Sequence, residues 1–171
     1  GSQGASSAWP MIVNGSKYVQ VGWIKTNNYK GNYGTGGVGS VVTPSDGMHY
    51  FYEINYGTNS LGTASLGDYQ VFSATGPGGG SIGNYRVEKS GNYWVGTANS
   101  TQIAAFPVSY DSTKFLYSGT AVQFSEEINS GALNPQASAF AGGAKPRAKF
   151  SNVRAFFNGK TYFSPSITRY F

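Results

Sequence analysis

A chain of 171 residues with a net charge of +5 and 11% charged residues is long enough to bury a core of its own and reads as one compact domain. The absence of cysteine excludes disulfide frameworks, thiol nucleophiles and cysteine-based metal sites. Its 25 Gly, 13 Tyr and 11 Phe describe a turn-rich β protein with a surface of hydroxyls and amides, and its composition excludes long surface helices.

In chain order, Gly1-Ser2 reads as a cloning scar and "SQGASS" as a linker, so residues 1–8 are set apart and 9–171 taken as a single β-sandwich domain. "MIVNGSKYVQVGW" places Asn14-Gly15 between two strand-like runs, and "RAFFNGKTYF" does the same at Asn158-Gly159. Both predict two-residue hairpins, because the primed turns need positive φ where Asn and Gly tolerate it. Between them, short runs of period two predict strands near 18–25, 49–56, 68–73, 84–88, 92–97, 102–106, 114–118, 121–129 and 147–157. The segments "NNYKGNYGTGGVGS", "YGTNSLGTAS" and "ATGPGGGSIGN" read as loops. Many short strands without helical crossovers predict an all-β, antiparallel sandwich of two sheets, of jelly-roll or concanavalin-like type, with little or no helix.

Several chemistries fail on the residues. "NGKT" at 158–161 lacks the upstream glycine of a phosphate-binding loop, and "GPGGGSIG" has no βαβ unit around it. His49 is the only histidine, and no G-x-S-x-G elbow accompanies it. No metal and no cofactor is expected. The basic run "KPRAK" is too short and too poor in aromatics to predict nucleic-acid binding. No apolar run of about 18 residues predicts membrane insertion.

Of the seven acids, Asp46 and Asp111 sit in turn sequences, while Asp68 and Glu88 lie at strand ends. In "TAVQFSEEINS", strand alternation puts Gln123, Ser125, Glu127 and Asn129 on one face, a polar stripe, and Glu126 in an apolar row. In "YVQVGWIK", Tyr18, Gln20, Gly22 and Ile24 share one face, and Val19, Val21 and Trp23 the other. Gly22 beside Gln20 removes a side chain next to the amide and so predicts room for a ligand.

"VQVGW", the aromatic run "HYFYEINYG", the late "AVQFSEEINSG" and then "AKFSNVRAF" resemble, in that order, the glutamic peptidases, the eqolisins and neprosin-type enzymes, which are β-sandwiches. Gln20 matches the catalytic glutamine of an eqolisin strand, "HYFYEINYG" its "WYEWYP"-like run, and Glu127 the catalytic Glu of "AEWIVED". The "GW" is that of the neprosin-type "EAGW". Glu126 departs from the small or apolar residue that precedes the catalytic Glu.

Low charge with abundant Tyr, Asn, Thr and Ser suits a secreted protein, and a monomer is expected. The resemblance implies an endopeptidase that acts on polypeptides under acidic conditions. Glu127 would serve as general base and then acid, and Gln20 as oxyanion donor. Trp23, Tyr50 and Tyr52 are candidate pocket walls, and Glu53 either hydrogen-bonds near the site or faces water. A glycan-binding module is the alternative, since exposed Tyr and Trp stack on sugar rings and amides bond their hydroxyls. A structural or adhesive domain is the third. "NGS" at 14–16 and "NST" at 99–101 match glycosylation acceptors and are also ordinary turn sequences.

Overall fold

The computed structural model describes residues 4–15, 17–27, 47–56, 68–78, 81, 83–110, 121–130, 153–157 and 160–163. Ten strands carry almost all of them: β1 (Gly4–Asn14), β2 (Lys17–Asn27), β3 (Gly47–Asn55), β4 (Asp68–Phe72), β5 (Tyr85–Ser90), β6 (Tyr93–Ala98), β7 (Thr101–Pro107), β8 (Ala121–Ser130), β9 (Arg154–Phe157) and β10 (Lys160–Phe163). One 3₁₀ turn, Val108–Tyr110, is the only helical element among the described residues. No helix there is long and apolar enough to cross a membrane.

The strands form a five-stranded sheet in the order β4-β3-β2-β1-β8 and a three-stranded sheet in the order β5-β6-β7, with β9 and β10 paired as a hairpin. Every pairing is antiparallel. The two larger sheets pack face to face, which makes the protein an all-β sandwich. Val19, Val21, Tyr52, Ile54, Tyr56 and Tyr69 of one side meet Trp94 and Phe106 of the other in one buried cluster. Tyr52 stacks on Phe106 with ring centroids 5.6 Å apart, and its hydroxyl donates to the Trp94 carbonyl at 2.9 Å. The Tyr56 hydroxyl does likewise to the Pro107 carbonyl at 2.8 Å. Gly96 makes this approach possible, because a Cβ there would lie 2.4 Å from the Tyr52 ring.

The predicted strands at 18–25, 49–56, 68–73, 84–88, 92–97, 102–106 and 121–129 all coincide with observed strands. The strand at 114–118 lies outside the described residues, as does the first part of 147–157. The β9–β10 register pairs Phe157 with Lys160 and so brackets the expected two-residue connection. At the first hairpin the register pairs Asn14 with Lys17, so Asn14 still belongs to the ladder and the connection starts one position later than expected, with Gly15 left-handed at φ 61°. Asn99-Ser100 joins β6 to β7 with both residues left-handed, at φ 49° and 67°, as a type I′ turn requires.

Two expectations need correction. Residues 4–8, set apart as linker, belong to β1, which pairs with both β2 and β8 from Gly4 onward. Small side chains suit this interior strand, and Ser7 and Ala8 are buried. Second, the space expected beside Gly22 is filled. A Cβ there would lie 2.0 Å from the Ala8 carbonyl oxygen and 2.8 Å from the Trp9 Cβ. Pro10, which has no N–H to give, sits next to this point, and neither Trp9 nor Pro10 has a ladder partner in β2. Glycine is required because the β1 backbone closes on β2 where the ladder is interrupted.

Candidate functional site

In an antiparallel sheet residues directly opposite one another share a face, so the register defines rows across the five strands. One row runs Gln123, Met11, Gln20, Glu53, Gln70 from β8 to β4. Its next neighbour holds Ser125 opposite Trp9, and Gly22, Phe51 and Phe72 in line across β2 to β4, with the ladder interrupted between Trp9 and Gly22. The first is polar but for Met11, and the second is largely apolar. This face is turned away from the core between the sheets.

Gln20 and Glu53 are both buried, at 6% and 8% exposure. Gln20 Nε2 donates to Glu53 Oε2 at 2.6 Å. Two more donors reach the other carboxylate oxygen: the Tyr18 hydroxyl at 2.8 Å and Gln70 Nε2 at 3.0 Å. A carboxylate offers about four acceptor positions. Among the described residues two are taken on Oε1 and one on Oε2, which leaves one on Oε2, beside the Gln20 amide. The contact with Glu53 also fixes which end of that amide is nitrogen, and Gln20 Nε2 keeps a second hydrogen. The apolar row seals one flank. Trp9 meets Phe51 edge to face at 5.9 Å, and Ile24, Met11 and Phe72 complete the cluster. Gln70 Oε1 is buried without a hydrogen-bond partner among the described residues.

The predicted partner of Gln20 is placed differently. Glu127 lies opposite Ser7, whereas Gln20 lies opposite Met11, so their backbones stand two strands apart and offset along β1. With strands about 4.8 Å apart and residues about 3.3 Å apart, the Cα atoms are separated by roughly 16 Å. Their register positions belong to the same face, but the carboxylate in contact with Gln20 is that of Glu53. Of the expected pocket walls, Trp23, Tyr50 and Tyr52 lie on the opposite face, because β2 and β3 alternate and Trp23 pairs with Tyr50, Val21 with Tyr52. Tyr52 has no exposed surface. These three therefore do not line the Gln20 side.

Two members of the network, Tyr18 and Gln70, were missed. Tyr18 could have been found from its alternation with Gln20. Gln70 needed the β3–β4 register, which no local pattern announces. His49 is buried, and its Nδ1 lies 2.7 Å from the Ser73 carbonyl. A carbonyl only accepts, so Nδ1 carries the hydrogen of this bond. Among the described residues no group of three or more His, Asp and Glu is placed to hold a metal ion. Compared with protein-family models, curated proteins and solved structures, the chain matches none.

Proposed function

We propose that the protein is a peptide-bond hydrolase of the glutamic type, in which Gln20 works with the carboxylate of Glu53. The observation that carries this reading is the 2.6 Å contact between Gln20 Nε2 and Glu53 Oε2 on a face with an apolar flank. An amide is a poor electrophile with a poor leaving group. Its hydrolysis needs a base for the water, a donor for the oxyanion and a proton for the departing nitrogen. The acceptor position on Glu53 Oε2 that no described residue fills suits a water, whose proton passes to the carboxylate and then to the amine. The second Nε2 hydrogen of Gln20 suits the oxygen of the tetrahedral intermediate. Tyr18 and Gln70 hold the carboxylate in place from its other oxygen.

The test is hydrolysis of an unfolded protein substrate between about pH 3 and 7 by the parent chain and three variants. Gln20→Ala is expected to lower kcat by roughly 10²–10³, the usual value of one oxyanion donor. Glu53→Gln, which keeps the shape of the side chain, is expected to lower it by at least as much. Glu127→Gln is expected to retain activity. Loss in Glu127→Gln with retention in Glu53→Gln would transfer the base to Glu127, and unchanged rates in all three would end the hydrolase reading.

A further inference from the structure

Between the two larger sheets, across the five-stranded sheet from Gln20 and Glu53, tyrosines of two kinds occur. Tyr52 and Tyr56 spend their hydroxyls on main-chain carbonyls of the other sheet. Tyr50 and Tyr85 do not. The Tyr50 hydroxyl accepts from Asn99 Nδ2 at 3.0 Å, and its own hydrogen has no acceptor among the described residues. The Tyr85 hydroxyl has no hydrogen-bond partner there, and neither phenol counts among the buried unpartnered atoms. Both residues are half-buried, with rings 6.2 Å apart and tilted by 55°. Trp23, also half-buried, is the cross-strand neighbour of Tyr50.

The cluster is held in place before any ligand arrives. Asn99 is exposed and left-handed, and its amide is clamped at both ends: Oδ1 accepts from the Asn84 N–H at 2.9 Å while Nδ2 donates to Tyr50. The Gly83 backbone lies against the Tyr85 ring so closely that a Cβ would come within 2.6 Å of its hydroxyl. Two phenol rings in contact, with hydrogens that no described residue accepts, and an amide with one hydrogen left thus meet where solvent reaches, and Trp23 stands beside Tyr50 on the neighbouring strand. None of the four side chains is charged.

We infer that Trp23, Tyr50, Tyr85 and Asn99 form a binding site for a neutral sugar ring. A pyranose has an apolar C–H face, which stacks on aromatic rings, and a rim of hydroxyls that both donate and accept. That combination matches rings flanked by unspent phenol and amide groups. The site lies across the sheet from the proposed catalytic pair and stands independently of it.

The experiment is a titration of the ¹⁵N-labelled protein with cello-, xylo-, chito- and malto-hexaose, followed by amide and tryptophan indole shifts. At least one saccharide is expected to give saturable shifts centred on Trp23, Tyr50, Tyr85 and Asn99. Asn99→Gly keeps the left-handed turn and removes the amide, and Tyr85→Phe keeps the ring and removes the hydroxyl. Each is expected to weaken binding roughly threefold to tenfold, as one hydrogen bond is worth, with the spectrum otherwise preserved. Absence of saturable shifts with all four sugars would overturn the inference. So would shifts centred elsewhere, unchanged affinity in both variants, or a response only to a proline-rich peptide run in parallel.

Discussion

Tyr52 meets both sheets through one side chain: its ring stacks on Phe106 and its hydroxyl bonds the Trp94 carbonyl. Tyr52→Phe removes the bond and keeps the stack, so it is expected to cost about 0.5–1.5 kcal/mol. Urea unfolding should show a lower midpoint with an unchanged slope, since the surface buried stays the same. At this scale part of the site was legible. Alternation along "YVQVGWIK" correctly separated Gln20 from Val19 and Val21, and the same rule already placed Trp23 away from the amide. What could not be read was which carboxylate meets Gln20. Glu53 reaches it because β3 pairs with β2 in one register, Gln20 against Glu53, after the intervening residues 28–46. A shift of one residue would have put Tyr52 or Ile54 there instead.

Among the elements, β1 departs furthest from what its sequence announces. "SQGASS" has the composition of a linker, yet from Gly4 on it is an interior strand, flanked by β2 and β8. Small, polar residues carry little strand propensity, and tertiary pairing overrides it. The turn signals did better, because positive φ is a local demand: Gly15, Gly91, Asn99 and Ser100 all meet it at hairpin loops. Gly22 is different, being required by its neighbour's backbone. Gly22→Ala would drive a methyl group to 2.0 Å from the Ala8 oxygen, and it is expected to cost about 3 kcal/mol, the upper range for overpacking. Gly78, around which a Cβ meets no described residue within 4 Å, provides the control. Gly78→Ala is expected to stay within about 0.5 kcal/mol of the parent in the same denaturation assay.

For the whole molecule, the sandwich was legible from the spacing of short alternating runs, while the partition into five and three strands was not, because sheet order is set by long-range pairing. Closure of the two sheets also predicts how the protein responds to alkali. Burial, and then the neighbouring Tyr50, push the Tyr85 phenol up to about 12. Burial, and then Tyr56, push Tyr52 upward as well. An unfolded tyrosine ionises near pH 10. The folded state therefore holds protons that the unfolded chain gives up, and stability falls as pH rises. The contribution is complete below about pH 10 and disappears as pH climbs through about 12. Urea midpoints are expected to hold up to pH 10 and to decline above it. Tyr85→Phe should flatten that decline, and an identical slope in the variant would contradict the assignment.

The N-terminal strand is locked on one side by its own hairpin and on the other by β8, which the ribosome delivers much later. Until then, a nascent chain that has already folded β1 to β4 carries a bare hydrogen-bonding border along its first strand. Such a border invites pairing with a neighbouring polypeptide. Translation that stalls before Ala121 should therefore yield aggregates, and a peptide copied from β8 and supplied in trans should suppress them.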